Sequence, residues 1–412
     1  MLVQFAPRSR KAQERPAMNI AMATHYFESH RGGVEIAAGQ LARALTALGH
    51  TVTWMACNSS PPPVDAAVCR RAISLQANNW LERRIGIPYP VTVPGTWQQI
   101  DVAIGDADLV LVHDAFFLPC RLMQRRARRA AKPCVIIQHI GVVPYRNPLL
   151  RLGMATSDRV LTRPALSAAA QVVFISELTR QHFEGTRYQR PPVVLFNGVD
   201  TATFTPAPPE LSRSSLRASL GIDPARPAVL FVGRFVEKKG MVHLKQMARS
   251  MPEWNWLLAG WGSIDPLKWQ LPNVYVFSNG SGASLTPLYQ AADALVLPSV
   301  GEGFPLVVQE ALACGLAVVC GDDTAQADPV AQQHLVGVHV DPMNPDATGA
   351  AFVRALAPLV RGAEMDYAMR IARAEFARER YSWHAMALQM VALLPAISMH
   401  TKTAGALTVS HT

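Results

Sequence analysis

Residues 18–56 read MNIAMATHYFESHRGGVEIAAGQLARALTALGHTVTWMA, and they set the fold of the first half of the chain. The apolar run at 18–27 predicts a buried strand, which the loop ESHRGG follows. Apolar side chains then recur at helical spacing, at Ile36, Leu41, Leu45 and Leu48. Gly49 ends that helix, and residues 51–56 form a second apolar run. A strand, a glycine loop, a helix and a strand in this order predict the opening of a parallel α/β sheet.

The same order of elements recurs at residues 228–259, which read AVLFVGRFVEKKGMVHLKQMARSMPEWNWLLA. Residues 228–232 and 256–259 predict strands, residues 233–240 form a basic loop bounded by glycines, and residues 241–251 predict a helix. Because the two stretches share a pattern and not residue identities, they indicate two similar α/β domains and not a short-period repeat.

Prolines mark the boundary between these domains, since residues 201–227 contain Pro206, Pro208, Pro209, Pro224 and Pro227. We expect the following division: a loose extension at 1–17, a first domain at 18–200, a linker region at 201–227, a second domain at 228–380, an amphipathic helix at 381–398 and a frayed tail at 399–412. Further strands are expected at 109–112, 135–138, 172–175, 274–277, 294–297 and 317–319.

The composition is that of a globular protein, with 50% hydrophobic and 17% charged residues. The net charge is +9, and part of the excess lies in residues 121–132, RLMQRRARRAAK. This segment favours phosphates, nucleic acid or an acidic membrane surface as partners, and it also fits a solvated helix face. No nucleic acid is expected, because aromatic residues are not interleaved with the cations and no finger or helix-turn-helix signature is present.

The six cysteines form no CxxC pair, and several lie in apolar runs, so we expect small buried side chains in a reducing compartment. No apolar stretch has the length of a membrane span, and the basic N-terminus lacks the apolar core of a secretory signal. These features predict a cytoplasmic protein.

The strongest chemical signal is at residues 301–319, GEGFPLVVQEALACGLAVV. Gly303 permits a tight turn, and a helix follows that carries Glu310 among apolar residues. Carboxylates such as Glu302 and Glu310 are costly to bury unless they accept hydrogen bonds, which the hydroxyls of a sugar and a ribose would donate. The helix start also offers free N–H groups to an anion. The plainer alternative is that Glu310 is an ordinary surface residue.

A second signal is the basic loop, in which Gly233 and Arg234 are followed by Lys238, Lys239 and Gly240. Cations between a buried strand and a helix suit a diphosphate, because arginine binds phosphate through two parallel hydrogen bonds and lysine acts as a point charge. The plainer alternative is a solvated basic turn.

Six stretches in this order resemble family 4 of the glycosyltransferases: GGVE at 32–35, FISELTR at 174–180, NGVD at 197–200, GRFVEKKG at 233–240, LAGWG at 258–262 and EGFPLVVQE at 302–310. The resemblance implies an α/β protein of GT-B architecture, in which two Rossmann-like domains with parallel sheets face a central cleft. It also implies that the C-terminal helix crosses back onto the first domain and that the reaction retains the sugar's configuration.

The resemblance further implies roles for single residues. On the donor side, Arg234 and Lys239 bind the diphosphate, Glu310 holds the ribose, and Glu302 holds the donor sugar together with the backbone of Gly303 and Phe304. Gly32, Gly33 and Gly233 let the backbone approach the diphosphate. His113 lies beside the transferred sugar, and His139 and Glu35 lie on the acceptor side. The donor is a nucleotide diphosphate-sugar, UDP- or GDP-linked, and no further cofactor or metal is required.

Two positions depart from the family pattern. Residues 320–328, CGDDTAQAD, replace the family's Gly-x-Pro-Glu run, and Trp261 replaces an acidic residue. Other stretches, at 85–94 and 138–147, resemble relatives that assemble bacterial surface polysaccharides, which implies a glycan or lipid-linked glycan acceptor. With the basic segment, Trp80 or Trp97 would suit peripheral contact with an anionic membrane.

Two other interpretations stay open: a non-catalytic nucleotide-sugar-binding protein, and a GT-B-fold epimerase acting on a sugar nucleotide. A nicotinamide-dependent enzyme is disfavoured, because no complete GxGxxG follows a strand.

Overall fold

A computed structural model describes residues 17–80, 89–93, 95, 97–141, 148–278, 280, 282–300, 304–361 and 367–393. Apart from Ala17, the expected extension and tail lie outside the described residues. So do Glu302 and Gly303 of the predicted site.

The first half of the chain forms a sheet in which every described pairing is parallel, in the order β3-β2-β1-β6-β7-β8-β9. Its strands are β1 Asn19–Ala23, β2 Thr51–Cys57, β3 Arg71–Leu75, β6 Leu109–His113, β7 Cys134–Gln138, β8 Gln171–Phe174 and β9 Val193–Val194. A separate antiparallel pair joins β4 Ala77–Asn78 to β5 Val91–Thr92.

The second half forms another parallel sheet, in the order β12-β11-β10-β13-β14-β15. Its strands are β10 Ala228–Val232, β11 Asn255–Ala259, β12 Val274–Phe277, β13 Ala294–Leu297, β14 Ala317–Gly321 and β15 Leu335–Val338. The strand order reverses between β1 and β6 in the first sheet and between β10 and β13 in the second. Ligands of open α/β sheets bind at such switch points, beyond the carboxyl ends of the strands.

Helices cover both sheets. They are α1 Gly33–Ala47, α2 Trp97–Gly105, α3 Leu118–Arg129, α4 Pro148–Ser157, α5 Arg163–Ala168, α6 Glu177–His182, α7 Arg213–Ser219, α8 Met241–Ser250, α9 Thr286–Ala291, α10 Leu306–Ala313, α11 Asp322–Ala325, α12 Pro345–Arg361, α13 Tyr367–Tyr381 and α14 at 383–393. A π-helical turn, Asp158–Thr162, joins α4 to α5. Shorter 3-10 turns are Glu28–His30, Glu237–Lys239, Pro266–Trp269, Gly282–Leu285 and Pro329–His334.

Each sheet has its own hydrophobic core, and the last helix belongs to the core of the first sheet. Trp383, Met386 and Met390 of α14 are buried there against strands β1 and β2 and helix α1. The chain therefore runs through the second sheet and returns to the first.

The fold class predicted from the sequence is confirmed, with differences at several element ends. Strand β1 stops at Ala23 and not at residue 27, because the Thr24 hydroxyl donates to the carbonyl of Tyr26 and turns the chain. Residues 320–328 are not all loop: β14 ends at Gly321 and α11 begins at once. All six cysteines are buried and unpaired, as expected.

Candidate active site

Two histidines meet at the carboxyl edge of the first sheet. His113 ends β6, His139 follows β7, and Nδ1 of His113 lies 3.0 Å from Nε2 of His139. Burial lowers the pKa of His113 well below its usual value and that of His139 to about 3, and the neighbouring histidines oppose a charge on either ring. The pair is therefore neutral at physiological pH. Nε2 of His113 is buried and has no hydrogen-bond partner in the described structure, which suits a polar group supplied by a substrate.

A buried carboxylate, Asp114, holds the loops that carry this pair. Its oxygens accept hydrogen bonds from the backbone N–H of Phe116 at 3.0 Å and of Ile140 at 2.8 Å, and from the Gln138 amide at 3.1 Å. Asp114 adopts the left-handed conformation, with φ 72°. Burial raises the pKa of Asp114 to about 6, although all three hydrogen bonds favour the ionised form. Because Ile140 adjoins His139, this carboxylate fixes both histidines.

A second buried pair lies at the neighbouring carboxyl end of β1. Nε2 of His25 lies 2.9 Å from Oε1 of Glu35 in the first turn of α1, and both side chains are buried. The His25 ring stacks on Phe117, with ring centroids 3.6 Å apart. Burial pushes the pKa of Glu35 up, but the His25 hydrogen bond and the charges of His25 and His30 outweigh it and lower the pKa.

The glycine loop of the first half is shaped by this same glutamate. A Cβ on Gly32 would lie 2.1 Å from Oε2 of Glu35, whereas a Cβ on Gly33 would meet nothing within 4 Å. A side chain at residue 32 would therefore displace the Glu35 carboxylate from its present position.

The basic loop of the second half is clamped against the turn that follows β11. The N–H of Phe235 donates to the carbonyl of Trp261 at 2.7 Å. Gly233 has φ 156°, and a Cβ on Gly260 would lie 1.9 Å from the carbonyl oxygen of Gly233. The two backbones therefore touch, which only glycine at residue 260 allows.

The two predicted phosphate ligands of this loop differ in their exposure to solvent. Arg234 is exposed, while Lys239 is partly buried, and its Cδ lies 3.9 Å from where a Cβ on Gly233 would be. The carbonyl of Lys238 accepts a hydrogen bond from the N–H of Val300 at 3.4 Å. This bond holds Val300, which follows β13, beside the basic loop.

Helix α10 carries the other predicted carboxylate, Glu310. Its Oε2 accepts a hydrogen bond from the hydroxyl of buried Tyr289 at 2.6 Å. Burial raises the pKa of Glu310 to about 7, and the Tyr289 hydrogen bond opposes that rise. The plainer alternative, a solvated surface residue, is therefore wrong. Next to it, Gln309 is fully buried, and neither atom of its amide has a partner in the described structure.

Phe304, the last predicted donor-side residue, points its ring into the core. The ring packs against Phe196 and Tyr381, with centroids 5.3 and 5.1 Å away. Only its backbone is left to contact a ligand.

The structure thus groups the predicted residues by half. His113, His139, Glu35 and Gly32 gather at the carboxyl ends of β1, β6 and β7, whereas Gly233 and Lys239 gather at the end of β10. The described links between the halves include the contact of the Phe304 ring with Phe196 and the hydrogen bond that the N–H of Glu177 donates to the carbonyl of Ala327 at 3.1 Å.

Four supporting side chains were not predicted from the sequence: His25, Asp114, Gln138 and Tyr289. The first two carried a usable signal, because His25 follows β1 as His113 ends β6, and Asp114 adjoins His113 directly. Gln138 likewise adjoins His139, whereas Tyr289 carried no such signal.

Two family models match the chain. One, described as glycosyltransferase family 4, matches residues 31–203, and the other, glycosyl transferases group 1, matches residues 212–365. This chain belongs to the family 4 glycosyltransferases. The second model spans every strand of the second sheet, and the first model spans every strand of the first sheet except β1. Together they lie on both halves of the glycosyltransferase.

Curated relatives agree with this assignment. An alpha-maltose-1-phosphate synthase of Mycolicibacterium smegmatis is 29% identical to this chain over 273 residues. The match covers 62% of this chain and 70% of that protein. A D-inositol 3-phosphate glycosyltransferase of Mycobacterium sp. (strain KMS) is 36% identical over 139 residues, which are 31% of this chain and 30% of that protein. The second match thus spans less than a third of either protein.

Solved structures show the same GT-B fold. A sucrose-phosphate synthase from Thermosynechococcus elongatus aligns with a TM-score of 0.67 at 20% identity, covering 93% of this chain and all of that one. Anabaena Alr3699/HepE, solved with UDP-glucose, aligns with a TM-score of 0.63 at 15% identity, covering 92% of this chain and 100% of that one. WaaG, a glycosyltransferase of lipopolysaccharide biosynthesis, aligns with a TM-score of 0.60 at 18% identity, covering 90% of this chain and 98% of that one.

Proposed function

We propose that this glycosyltransferase transfers a sugar from a nucleotide diphosphate-sugar, UDP- or GDP-linked, to a glycan or lipid-linked glycan, with retention of configuration. The observation that supports the proposal is the hydrogen bond from the N–H of Val300 to the carbonyl of Lys238, which joins the stretch after β13 to the basic loop. Lys239 on that loop and Glu310 on α10 supply a cation for a diphosphate and a carboxylate for ribose hydroxyls. Anabaena Alr3699/HepE, with the same fold, was solved with UDP-glucose.

The chemistry follows from where charge develops. The bond between the anomeric carbon and the phosphate oxygen breaks, and its electron pair leaves with the diphosphate. The acceptor oxygen bonds to the anomeric carbon on the same face, and its proton passes to the leaving phosphate. Preorganised cations and N–H dipoles stabilise the growing negative charge, and each such group contributes about 3–4 kcal/mol elsewhere. Arg234 and Lys239 take this role without a metal.

On the other side of the cleft, the neutral pair of His113 and His139 would face the transferred sugar. A neutral imidazole can accept or donate a hydrogen bond without repelling the positive charge that develops on the sugar ring. Glu35, which His25 holds in place, would lie on the acceptor side of this histidine pair.

The acceptor has two candidates. The sequence resemblance favours a lipid-linked glycan of bacterial surface polysaccharide synthesis, on the inner face of the cytoplasmic membrane. The names of two relatives, a maltose-1-phosphate synthase and an inositol 3-phosphate glycosyltransferase, favour a small phosphorylated acceptor instead. In the described residues, no helix combines the length and the apolar character that crossing a membrane demands.

We also retain the domain division 18–200, 201–227 and 228–380 as part of this proposal. Limited proteolysis tests it, since the earliest cleavage should then fall within 201–227, with α14 still holding the two pieces together.

A donor screen tests the proposal. Thermal unfolding is followed with UDP-, GDP- and ADP-sugars, and stabilisation by one class identifies the donor. Release of the nucleoside diphosphate is then followed with each acceptor. Binding without release would indicate a nucleotide-sugar-binding protein, and an isomerised donor without release would indicate an epimerase.

A further inference from the structure

A cavity of about 520 Å³ opens in the first half of the chain. It lies between helix α3 and helix α5 and reaches the residues that lead into β7 and β8. Its lining residues include Ala131, Pro133 and Ala170, which all precede those strands. The histidine pair lies at the opposite ends of the same sheet, so the cavity and the candidate active site are separate.

Four cations line this cavity from one side. They are Arg121, Arg125, Arg128 and Lys132. Side chains three and four residues apart lie on one face of a helix, so the three arginines of α3 form a single stripe, which Lys132 extends. No acidic residue is among the described lining residues. Like charges gathered without a counter-ion repel one another, and a bound anion relieves that repulsion.

One of these cations has an unmet hydrogen-bonding need. Nη1 of Arg121 is buried and has no hydrogen-bond partner in the described structure. Burial and the nearby charge of Arg125 lower the pKa of Arg121, as expected for a guanidinium without an anion. A guanidinium presents a planar fork of donors, which matches the oxygens of a phosphate group.

The opposite wall is formed mainly by small side chains. The Gln124 amide donates to the carbonyl of Ala165 on α5 at 2.5 Å and ties the two helices together. Pro164, Ala165 and Ala168 line the floor, and their short side chains leave the space open. Arg126, which does not line the groove, pairs instead with Asp101 at 2.6 Å.

We propose that this groove binds a phosphate group carried on a small or slender body. The phosphate contacts Arg121, Arg125 and Arg128, and the body lies over the alanines and prolines. The phosphate belongs either to a soluble phosphate ester or to an anionic lipid headgroup. The site does not depend on the proposed transferase chemistry.

The test measures binding of inorganic pyrophosphate to the full chain by calorimetry. The paired variant Arg125→Ala/Arg128→Ala should weaken one class of sites at least tenfold. The control Arg129→Ala removes a charge from the same helix but does not line the groove, and it should change the affinity less than twofold. Lys239→Ala, which alters the candidate donor site, should leave the groove's affinity unchanged.

Two results would overturn the proposal. Equal losses in Arg129→Ala and in the paired variant would mean that only diffuse charge attracts the anion. Loss of all pyrophosphate binding in Lys239→Ala, with the paired variant unaffected, would place the anion in the cleft alone.

Vesicles of phosphatidylcholine with phosphatidylglycerol identify the source of the phosphate. Vesicle binding that the paired variant loses, and that pyrophosphate competes away, supports a lipid headgroup. Pyrophosphate binding without vesicle binding supports a soluble ester, and it rejects the membrane contact expected from residues 121–132.

Discussion

His113 and His139 share a hydrogen bond of 3.0 Å across the carboxyl ends of two neighbouring strands. Burial keeps the pKa of both rings below the usual value, so neither carries a charge at neutral pH. The bond occupies Nδ1 of His113 and leaves Nε2 of that ring for a ligand. The orientation of His113 therefore depends on His139.

Replacing the partner tests this dependence. His139→Ala removes the described hydrogen-bond partner of His113 and frees its ring to rotate, so kcat should fall by about ten- to a hundredfold. The dissociation constant of the donor, measured by calorimetry, should change less than threefold. His139→Gln, which restores a polar partner, should recover part of the loss. An unchanged kcat in His139→Ala would show that the pair plays no part in turnover.

Asp114 should act on catalysis through the loops that it holds. In Asp114→Asn, the side chain still tolerates the left-handed backbone, but an NH₂ group faces one of its N–H donors. Leaving that donor unpaired costs about 1–3 kcal/mol of stability, and displacement of His139 should lower kcat about tenfold. The exposed control Asp106→Asn should alter neither the urea midpoint nor kcat. Equal effects in the two variants would contradict the assignment.

Glu310 should make the protein less stable as the pH rises. Its pKa is raised from 4.5 to about 7 in the folded chain, so between these values the folded state binds more protons than the unfolded state. Stability from this group is therefore fully present below about pH 4.5 and is lost as the pH rises to about 7. This difference of about 2.5 in the pKa of Glu310 corresponds to at most about 3 kcal/mol in the free energy of unfolding.

Glu310→Gln removes this dependence. The variant should be the more stable protein at pH 8, and its advantage should shrink as the pH falls toward 5. Urea midpoints of both proteins across this range measure the effect, and parallel pH profiles would rule it out. Donor binding at pH 6.5 should also release a proton in the wild type and not in the variant, because ribose hydroxyls favour the ionised carboxylate.

The contact between Gly198 and Trp383 should be intolerant of any side chain. A Cβ on Gly198 would lie 2.4 Å from the Trp383 ring and 2.5 Å from its backbone nitrogen, where α14 returns to the first sheet. Gly198→Ala should thus lower the free energy of unfolding by about 1–3 kcal/mol. Gly105→Ala, at a position with open space, is the control. Equal thermal midpoints for the two variants would mean that α14 shifts to make room for the added methyl group without loss of stability.

The central strands were predictable because parallel strands covered on both faces read as unbroken apolar runs, as in Ala228–Val232. Two edge strands, β3 Arg71–Leu75 and β15 Leu335–Val338, were not predicted, although the edge strand β12 was expected at 274–277 and lies there. Both missed strands are short and carry exposed positions, so they lack the continuous burial of the central strands. The return of α14 onto the first sheet was expected from the family resemblance and not from periodicity.

The candidate site was predictable as a set of residue types and not as a set of contacts. The glycines, cations and carboxylates lie in motifs that can be recognised in the sequence. Their role as ligands remains a prediction. Their partners come from other elements of the fold: Gln138 on β7 lies 24 residues from Asp114, and Tyr289 on α9 lies 21 residues from Glu310 on α10. Such pairings depend on the tertiary fold, which local patterns do not encode.

The most direct test of the basic loop's role compares the kcat of Lys239→Ala with that of Lys238→Ala. Both are measured with the donor class that the thermal screen selects. Both variants lose one charge from the same turn, but only Lys239 packs beside Gly233. We predict at least a tenfold fall in kcat for Lys239→Ala, less than a twofold change for Lys238→Ala, and thermal midpoints close to the wild type for both. A folded Lys239→Ala protein with wild-type turnover would contradict the assignment of the basic loop to the donor diphosphate.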